Sequence, residues 1–190
     1  MKILRAAERV LATSGYAAFT IRAVAKVAGI TPGNLAYHYK TKRELLRAVI
    51  SSMIADCAKR TDDFLRLPRS NGRDPFGELA ASLIHESTLP VTSRVFRELW
   101  AMALHDRFVK EAVESLYEQS AARITNVLRQ FHPQLDASTS TEIVYLLLMI
   151  CEGTNPIYGT RPSRAAPVSK VSKLAVNVLL LLARGSAIPQ

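Results

Sequence analysis

The first quarter of the chain carries three helix start signals, so closely spaced that the helices between them must be short. Thr20, Thr31 and Thr41 are each good N-cap residues. Pro32 follows Thr31 directly, and proline is well tolerated at the first position of a helix. Gly29 lies between the first two signals and supplies the backbone freedom for a tight turn. The pattern predicts two short helices joined by a glycine turn, with another helix after them.

An opening helix precedes these elements, with apolar residues at helical spacing up to Gly15, where the sequence predicts its end. The third helix has room only from Pro32 to His38 or Tyr39. A capping box over residues 41–44 then predicts that Glu44 reaches back at the start of a fourth helix. Two helices with a glycine turn, the second short and polar, are typical of a helix-turn-helix, whose second helix enters the DNA major groove.

Charge is concentrated in the same region. The formal net charge is +9, and residues 1–50 hold nine Lys or Arg against two Glu, whereas residues 51–190 hold 16 basic and 14 acidic residues. A basic footprint on one small subdomain is what phosphate binding needs, because neutralised phosphates release their counterions. A solvated basic face with no partner is equally compatible with these numbers, so the charge alone leaves both interpretations open.

The segment FTIRAVAKVAGITPGNLAYHYKTKRELL resembles the DNA-binding signature of the tetracycline-repressor (TetR) family. The resemblance rests on the cap before the second helix, the Ala28–Gly29 turn, the residues that follow it in the third helix, and the aromatic-His-aromatic cluster at 37–39. It covers roughly residues 3–47. The resemblance implies a helix-turn-helix domain over residues 1–47 and a helical ligand-binding and dimerisation domain over residues 48–190.

The resemblance also implies residue roles. The residues expected to contact DNA are Thr31, Gly33, Asn34, Tyr37, His38 and Lys42. Asn34 is expected at a base edge, preferably adenine, and Lys42 at a phosphate near the start of the fourth helix. Leu35 is expected to anchor the third helix inward, and Tyr39 to be buried. Ala36 departs from the family pattern, which often has an aromatic residue at this position.

The rest of the chain predicts only helices, giving an all-α fold with about nine helices in total. The expected bounds of the last six are 41–67, 74–87, 91–105, 106–131, 138–153 and 168–184, with a loop over residues 69–74. Residues 143–151 are apolar all round, and Leu174, Val178, Leu181 and Leu182 form a wide apolar stripe. Such helices must be buried on several sides, either in the monomer core or against a second copy of the chain. The resemblance implies the second arrangement, a homodimer through the last two helices.

Enzyme chemistry is not expected. The chain has no zinc-protease motif, glycine-rich phosphate loop or nucleophile elbow, and no cofactor or metal site is predicted. The longest apolar runs are too short for a membrane helix, and no secretory signal is expected. Cys57 and Cys151 lack metal-ligand spacing and fit a reducing cytoplasm.

The leading hypothesis is a homodimeric DNA-binding regulator, a repressor released from a palindromic operator by a small-molecule effector. If the C-terminal domain encloses a pocket, its aromatic residues favour an apolar or aromatic ligand. The alternative is a small-molecule binding or carrier protein with a vestigial helix-turn-helix, for which Ala36 is the one supporting residue.

Overall fold

A computed structural model describes residues 2–66, 72, 74–158 and 166–185. Within these residues all regular elements are helices, nine in number. This confirms the predicted all-α fold class and the predicted number of helices. The helices are α1 Lys2–Ala18, α2 Ile21–Ala28, α3 Pro32–His38, α4 Lys42–Arg66, α5 Pro75–Ser87, α6 Pro90–Ala103, α7 Arg107–Phe131, α8 Ala137–Tyr158 and α9 Val168–Ala183. The predicted end of α4 at Leu67 and most of the predicted loop at 69–74 lie outside the described residues.

The chain packs as two compact units. One comprises the chain up to Cys57 together with Arg94–Leu116, and the other comprises Ala58–Ser93 and the chain from Tyr117 onward. The first unit therefore holds α1, α2, α3 and the start of α4, most of α6 and the start of α7. The second unit holds the end of α4, the first residues of α6, the rest of α7, and the whole of α5, α8 and α9. The division predicted after residue 47 rests on the family resemblance and stays a prediction.

The predicted caps of the first unit are confirmed. Thr20 Oγ1 accepts a hydrogen bond from Ala23 N at 3.1 Å, and Thr31 Oγ1 accepts one from Asn34 N at 3.2 Å. At the start of α4, Thr41 Oγ1 accepts from the backbone N–H of Glu44 at 3.0 Å. These side chains satisfy amides that have no partner inside the first turn of each helix.

The helix end predicted at Gly15 is confirmed in part, because Gly15 has a non-helical backbone (φ 71°, ψ 176°) that interrupts α1, and helical residues continue after it to Ala18. The helix end predicted at Gly153 is wrong. α8 continues past Gly153 to Tyr158 and contains Pro156. Gly153 is not among the glycines with positive φ, so it does not adopt the left-handed conformation with which glycine closes a helix.

The second unit has its own apolar core, formed by α5, α7, α8 and α9, with Phe76, Leu128, Leu147 and Leu179 fully buried. Cys151 belongs to this core. Burial, and to a lesser degree the charges of Glu152 and Glu86, raise the pKa of its thiol to about 12. The thiol therefore stays protonated at neutral pH and packs as a small apolar group.

Much of the predicted apolar stripe of α9 is exposed in the single chain. Leu174 is 64% exposed and Leu181 is 52% exposed, whereas Leu179 is buried. On α8, which packs against α9, Met149 is 70% exposed. We call the exposed large apolar residues of these two helices the α8–α9 apolar surface; its members are Tyr145, Met149, Ile157, Val171, Leu174, Val178 and Leu181.

Candidate nucleic-acid interface

α3 is a seven-residue helix held at both ends and by one buried side chain. Before it, Gly29 takes the left-handed conformation (φ 67°, ψ 38°), which closes α2 and turns the chain. Ile30 N then donates to Ala25 O at 3.1 Å, which ties the turn to α2. Leu35 is fully buried and is the buried residue of α3, as predicted. The two helices and their turn have the form of a helix-turn-helix.

The outer face of α3 presents the predicted DNA-contacting residues to solvent. Thr31, Gly33, Asn34, Tyr37 and His38 are all exposed. Tyr37 is 85% exposed, an unusual position for so large an aromatic residue. Its ring meets the His38 ring edge-on with the centroids 5.4 Å apart. The structure therefore brings five of the six predicted residues together on one short, exposed element, and their contacts with DNA stay a prediction.

Gly33 has no internal reason to be glycine. A Cβ atom added there would meet no protein atom within 4 Å, and Gly33 is not among the residues with positive φ. Glycine also lowers the stability of a helix relative to alanine. The close approach of a DNA backbone to α3 at Gly33 stays a prediction.

Lys42, the sixth predicted residue, lies at the start of α4 and is half-buried. Its Nζ donates a hydrogen bond to Tyr16 O at 2.7 Å and lies 3.5 Å from the centroid of the Tyr16 ring. Burial lowers the pKa of the Lys42 ammonium. An ammonium carries three N–H donors, so a lysine bound to one carbonyl still has donors for a phosphate oxygen.

Sequence reasoning missed the residues that hold Tyr16. The backbone N–H of Tyr16 donates to Glu98 Oε2 on α6 at 2.8 Å. Gly15, just before it, was predicted to end a helix, and its non-helical backbone kinks α1 beside this carboxylate. A pair separated by 82 residues leaves no local pattern from which the contact could have been found.

The start of α4 makes further contacts within the first unit. Arg47 places its guanidinium carbon 4.3 Å from the centroid of the Phe108 ring. Arg43 lies 3.9 Å from Asp106 in an exposed ion pair, and Asp106 Oδ1 also caps α7 by accepting from Phe108 N. Glu44 reaches back as predicted, but it accepts from Lys40 N at 2.9 Å, one residue before the N-cap N–H that a capping box uses.

Comparison with known proteins agrees with this geometry. Residues 3–49 match the family model described as bacterial regulatory proteins of the tetR family. A curated relative, an uncharacterised HTH-type transcriptional regulator in the dhlA 5′ region of Xanthobacter autotrophicus, is 31% identical over 183 residues, which covers 94% of this chain and 87% of that protein. The chain belongs to the TetR family.

Solved structures share the fold over almost the whole length of the chain. A transcriptional regulator from Rhodococcus sp. Rha1 matches with a TM-score of 0.74 at 19% identity, covering 99% of this chain and 98% of that one. A regulator from Saccharomonospora viridis in complex with choline matches with a TM-score of 0.73 at 15% identity, covering 94% of each chain. This TetR-family chain is a DNA-binding transcriptional regulator and not an enzyme.

Among the described residues, no group of three His, Cys, Asp or Glu side chains is placed to hold a metal ion. None of the helices described there combines the length and apolar character needed to span a membrane.

Proposed function

We propose that this protein is a homodimeric repressor that a small organic effector releases from a palindromic operator. The observation that carries the proposal is the outer face of α3, where the predicted base- and phosphate-contacting residues are exposed and Leu35 alone of the helix is buried. Asn34 is assigned to a base edge, and Tyr37 and His38 to phosphate or a thymine methyl. Lys42 is assigned to a phosphate.

The α8–α9 apolar surface supports the dimer. Its α9 members recur at spacings of three and four residues and form one stripe along the helix. A stripe that filled the monomer core would be buried in the single chain, whereas Leu174 and Leu181 are more than half exposed. A second copy packed on the same surface would bury them with twofold symmetry. Two α3 helices would then meet successive major grooves about 34 Å apart.

The effector is proposed from family membership and from the choline bound to the S. viridis relative. Release requires that the effector binds one arrangement of the dimer more tightly than the arrangement that fits the operator. From its aromatic residues, the chain is proposed to take an apolar or aromatic ligand.

Selection of bound fragments from a random double-stranded DNA pool tests the proposal. The expected product is a sequence with twofold symmetry and half-sites separated by about one helical turn. Binding to the selected site should weaken steeply as salt concentration rises, because phosphate contacts release counterions. A pool that yields no enriched sequence, or a complex insensitive to salt, would contradict the proposal and favour the carrier protein with a vestigial helix-turn-helix.

A further inference from the structure

Tyr16 is held from both sides by side chains of two other helices of the first unit. Its backbone N–H donates to Glu98 Oε2 on α6 at 2.8 Å. Its backbone carbonyl accepts from Lys42 Nζ on α4 at 2.7 Å, and its ring lies under the same ammonium. We call Glu98, Tyr16 and Lys42 the Tyr16 clamp.

The kink in α1 is fitted closely to the Glu98 carboxylate. Gly15 has a positive φ of 71°, a conformation that favours glycine. A Cβ atom at Gly15 would lie 3.1 Å from Glu98 Oε1 and 3.3 Å from Oε2. The carboxylate therefore packs directly on the backbone at residue 15 while it accepts the next amide. Glycine at position 15 therefore permits both the positive φ and the close approach of the Glu98 carboxylate to the backbone.

We infer that Glu98 is a positioning residue for DNA binding, because it fixes the Tyr16 backbone whose carbonyl holds Lys42 at the start of α4. This inference rests on the proposed function, in which Lys42 binds an operator phosphate. With Tyr16 fixed, the Lys42 ammonium stays beside the N-terminus of α4 and keeps its remaining N–H donors for phosphate. Without the Glu98 acceptor, the Tyr16 N–H loses its partner. The Tyr16 carbonyl keeps its hydrogen bond from Phe19 N at 3.1 Å, but the peptide before it is no longer fixed to α6, so the carbonyl holds Lys42 less rigidly.

The positioning role of Glu98 can be distinguished from the effect of its negative charge on DNA binding, because the two predict opposite changes in affinity. A carboxylate repels anionic DNA, so removal of its charge by itself strengthens binding. A positioning role predicts the opposite result when the hydrogen-bond acceptor is also removed. Glu98→Gln removes the charge and keeps an acceptor oxygen, whereas Glu98→Ala removes both.

Fluorescence anisotropy with the selected operator at several salt concentrations tests the inference. Glu98→Gln is expected to bind within about twofold of wild type, or more tightly. Glu98→Ala is expected to bind roughly five- to tenfold more weakly, the size of one lost hydrogen bond, with the logarithmic salt slope reduced by about 1. Glu114→Ala is the control, since it removes an exposed carboxylate paired with Lys110 on α7 and is expected to bind no more weakly than wild type.

A double-mutant cycle with Lys42→Ala shows whether Glu98 acts through Lys42. The double variant Glu98→Ala, Lys42→Ala is expected to bind as weakly as Lys42→Ala alone. Effects that multiply, or a Glu98→Ala variant that binds as tightly as Glu98→Gln, would overturn the inference. Thermal unfolding of each variant identifies any loss of binding that comes from a loss of fold.

Reductive methylation of lysines, read by mass spectrometry without DNA, gives a second measure of the clamp. Lys42 is expected to react faster in Glu98→Ala than in Glu98→Gln, because its partner carbonyl is no longer fixed. Equal rates would overturn the inference by themselves. A wild-type protein that selects no DNA would refute the proposed function instead, and the methylation rates would still report whether Glu98 holds Lys42.

Discussion

At the scale of single residues, substitution of Gly33 is expected to have opposite effects on the stability of the fold and on DNA binding. Nothing in the chain contacts the space where its side chain would be, so Gly33→Ala is expected to keep or raise the free energy of unfolding, by up to about 1 kcal/mol. Operator affinity is expected to fall roughly ten- to a hundredfold, since a methyl group forced into an occupied contact costs about 1–3 kcal/mol. Thermal unfolding and anisotropy titration measure the two quantities. Unchanged affinity would show that DNA does not approach Gly33 closely.

Substitutions of Asn34 and of Lys42 are expected to change DNA binding in different ways. Asn34→Ala should relax the choice of base at one operator position, since a bidentate amide contact discriminates by about 1–3 kcal/mol. Lys42→Ala should weaken binding to specific and random DNA alike and reduce the salt slope by about 1. Titrations with the selected site, single-base variants of it and random DNA distinguish these outcomes. The assigned roles would be wrong if both variants lost affinity equally for every sequence.

At the scale of elements, Gly77 fixes how closely α5 and α9 pack in the second unit. A Cβ atom at Gly77 would lie 2.9 Å from Leu180 Cδ1 and 3.3 Å from its Cγ, so the whole end of the leucine would have to move. Gly77→Ala is expected to lower the free energy of unfolding by about 1–3 kcal/mol.

Gly153 on α8 provides the matched control, because its added Cβ would meet nothing within 4 Å. Gly153→Ala is expected to raise the free energy of unfolding by up to about 1 kcal/mol. Urea denaturation followed by circular dichroism measures both variants. A Gly77→Ala protein as stable as Gly153→Ala would show that α9 adjusts without cost.

The sequence was informative about these elements where the signal was local. Thr20, Thr31 and Thr41 each cap a helix through an amide three residues away, and the structure confirms all three. Gly153 was wrongly predicted to end a helix, because glycine closes a helix only through a backbone conformation that the residue type permits but does not impose. Gly15 does leave the helical conformation, but helical residues follow it to Ala18. The outward residues of α3 were implied by the resemblance to the TetR family.

The Tyr16 clamp was beyond sequence reasoning for a physical reason. Glu98 reads as one more charged residue on an amphipathic helix, and Tyr16 as an aromatic residue near a helix end. What joins them is the packing of α6 beside the kink of α1, a tertiary contact over 82 residues that no periodicity encodes. The α8–α9 apolar surface was predicted in part. Its apolar character was visible in the sequence, but the faces left exposed depended on how the helices pack.

At the scale of the whole molecule, the proposed dimer is testable through the α8–α9 apolar surface. Leu174→Lys is expected to give a folded monomer, since Leu174 is 64% exposed and contributes little to the monomer core. Burial of a lysine at a twofold contact brings two like charges together and prevents association. Sedimentation equilibrium measures the mass, and circular dichroism checks the helical content.

Ser169→Lys is the control for this variant, because Ser169 is exposed at the start of α9 and lies off the apolar stripe. It is expected to remain dimeric. Operator affinity should fall in Leu174→Lys far more than in Ser169→Lys, because one α3 helix binds half a site. A Leu174→Lys protein with the mass of a dimer would place the contact between copies elsewhere.

The attachment of α3 through a single inward residue has a consequence for how such regulators diversify. Because Leu35 is the residue of the helix that the fold buries, the other positions of α3 contribute little to packing and are open to exchange. A gene copy that keeps Leu35 and the two flanking caps would acquire a new target sequence while it inherits an intact scaffold. Retargeting by exchange of the residues at the six other positions of α3 is therefore a realistic aim for this chain.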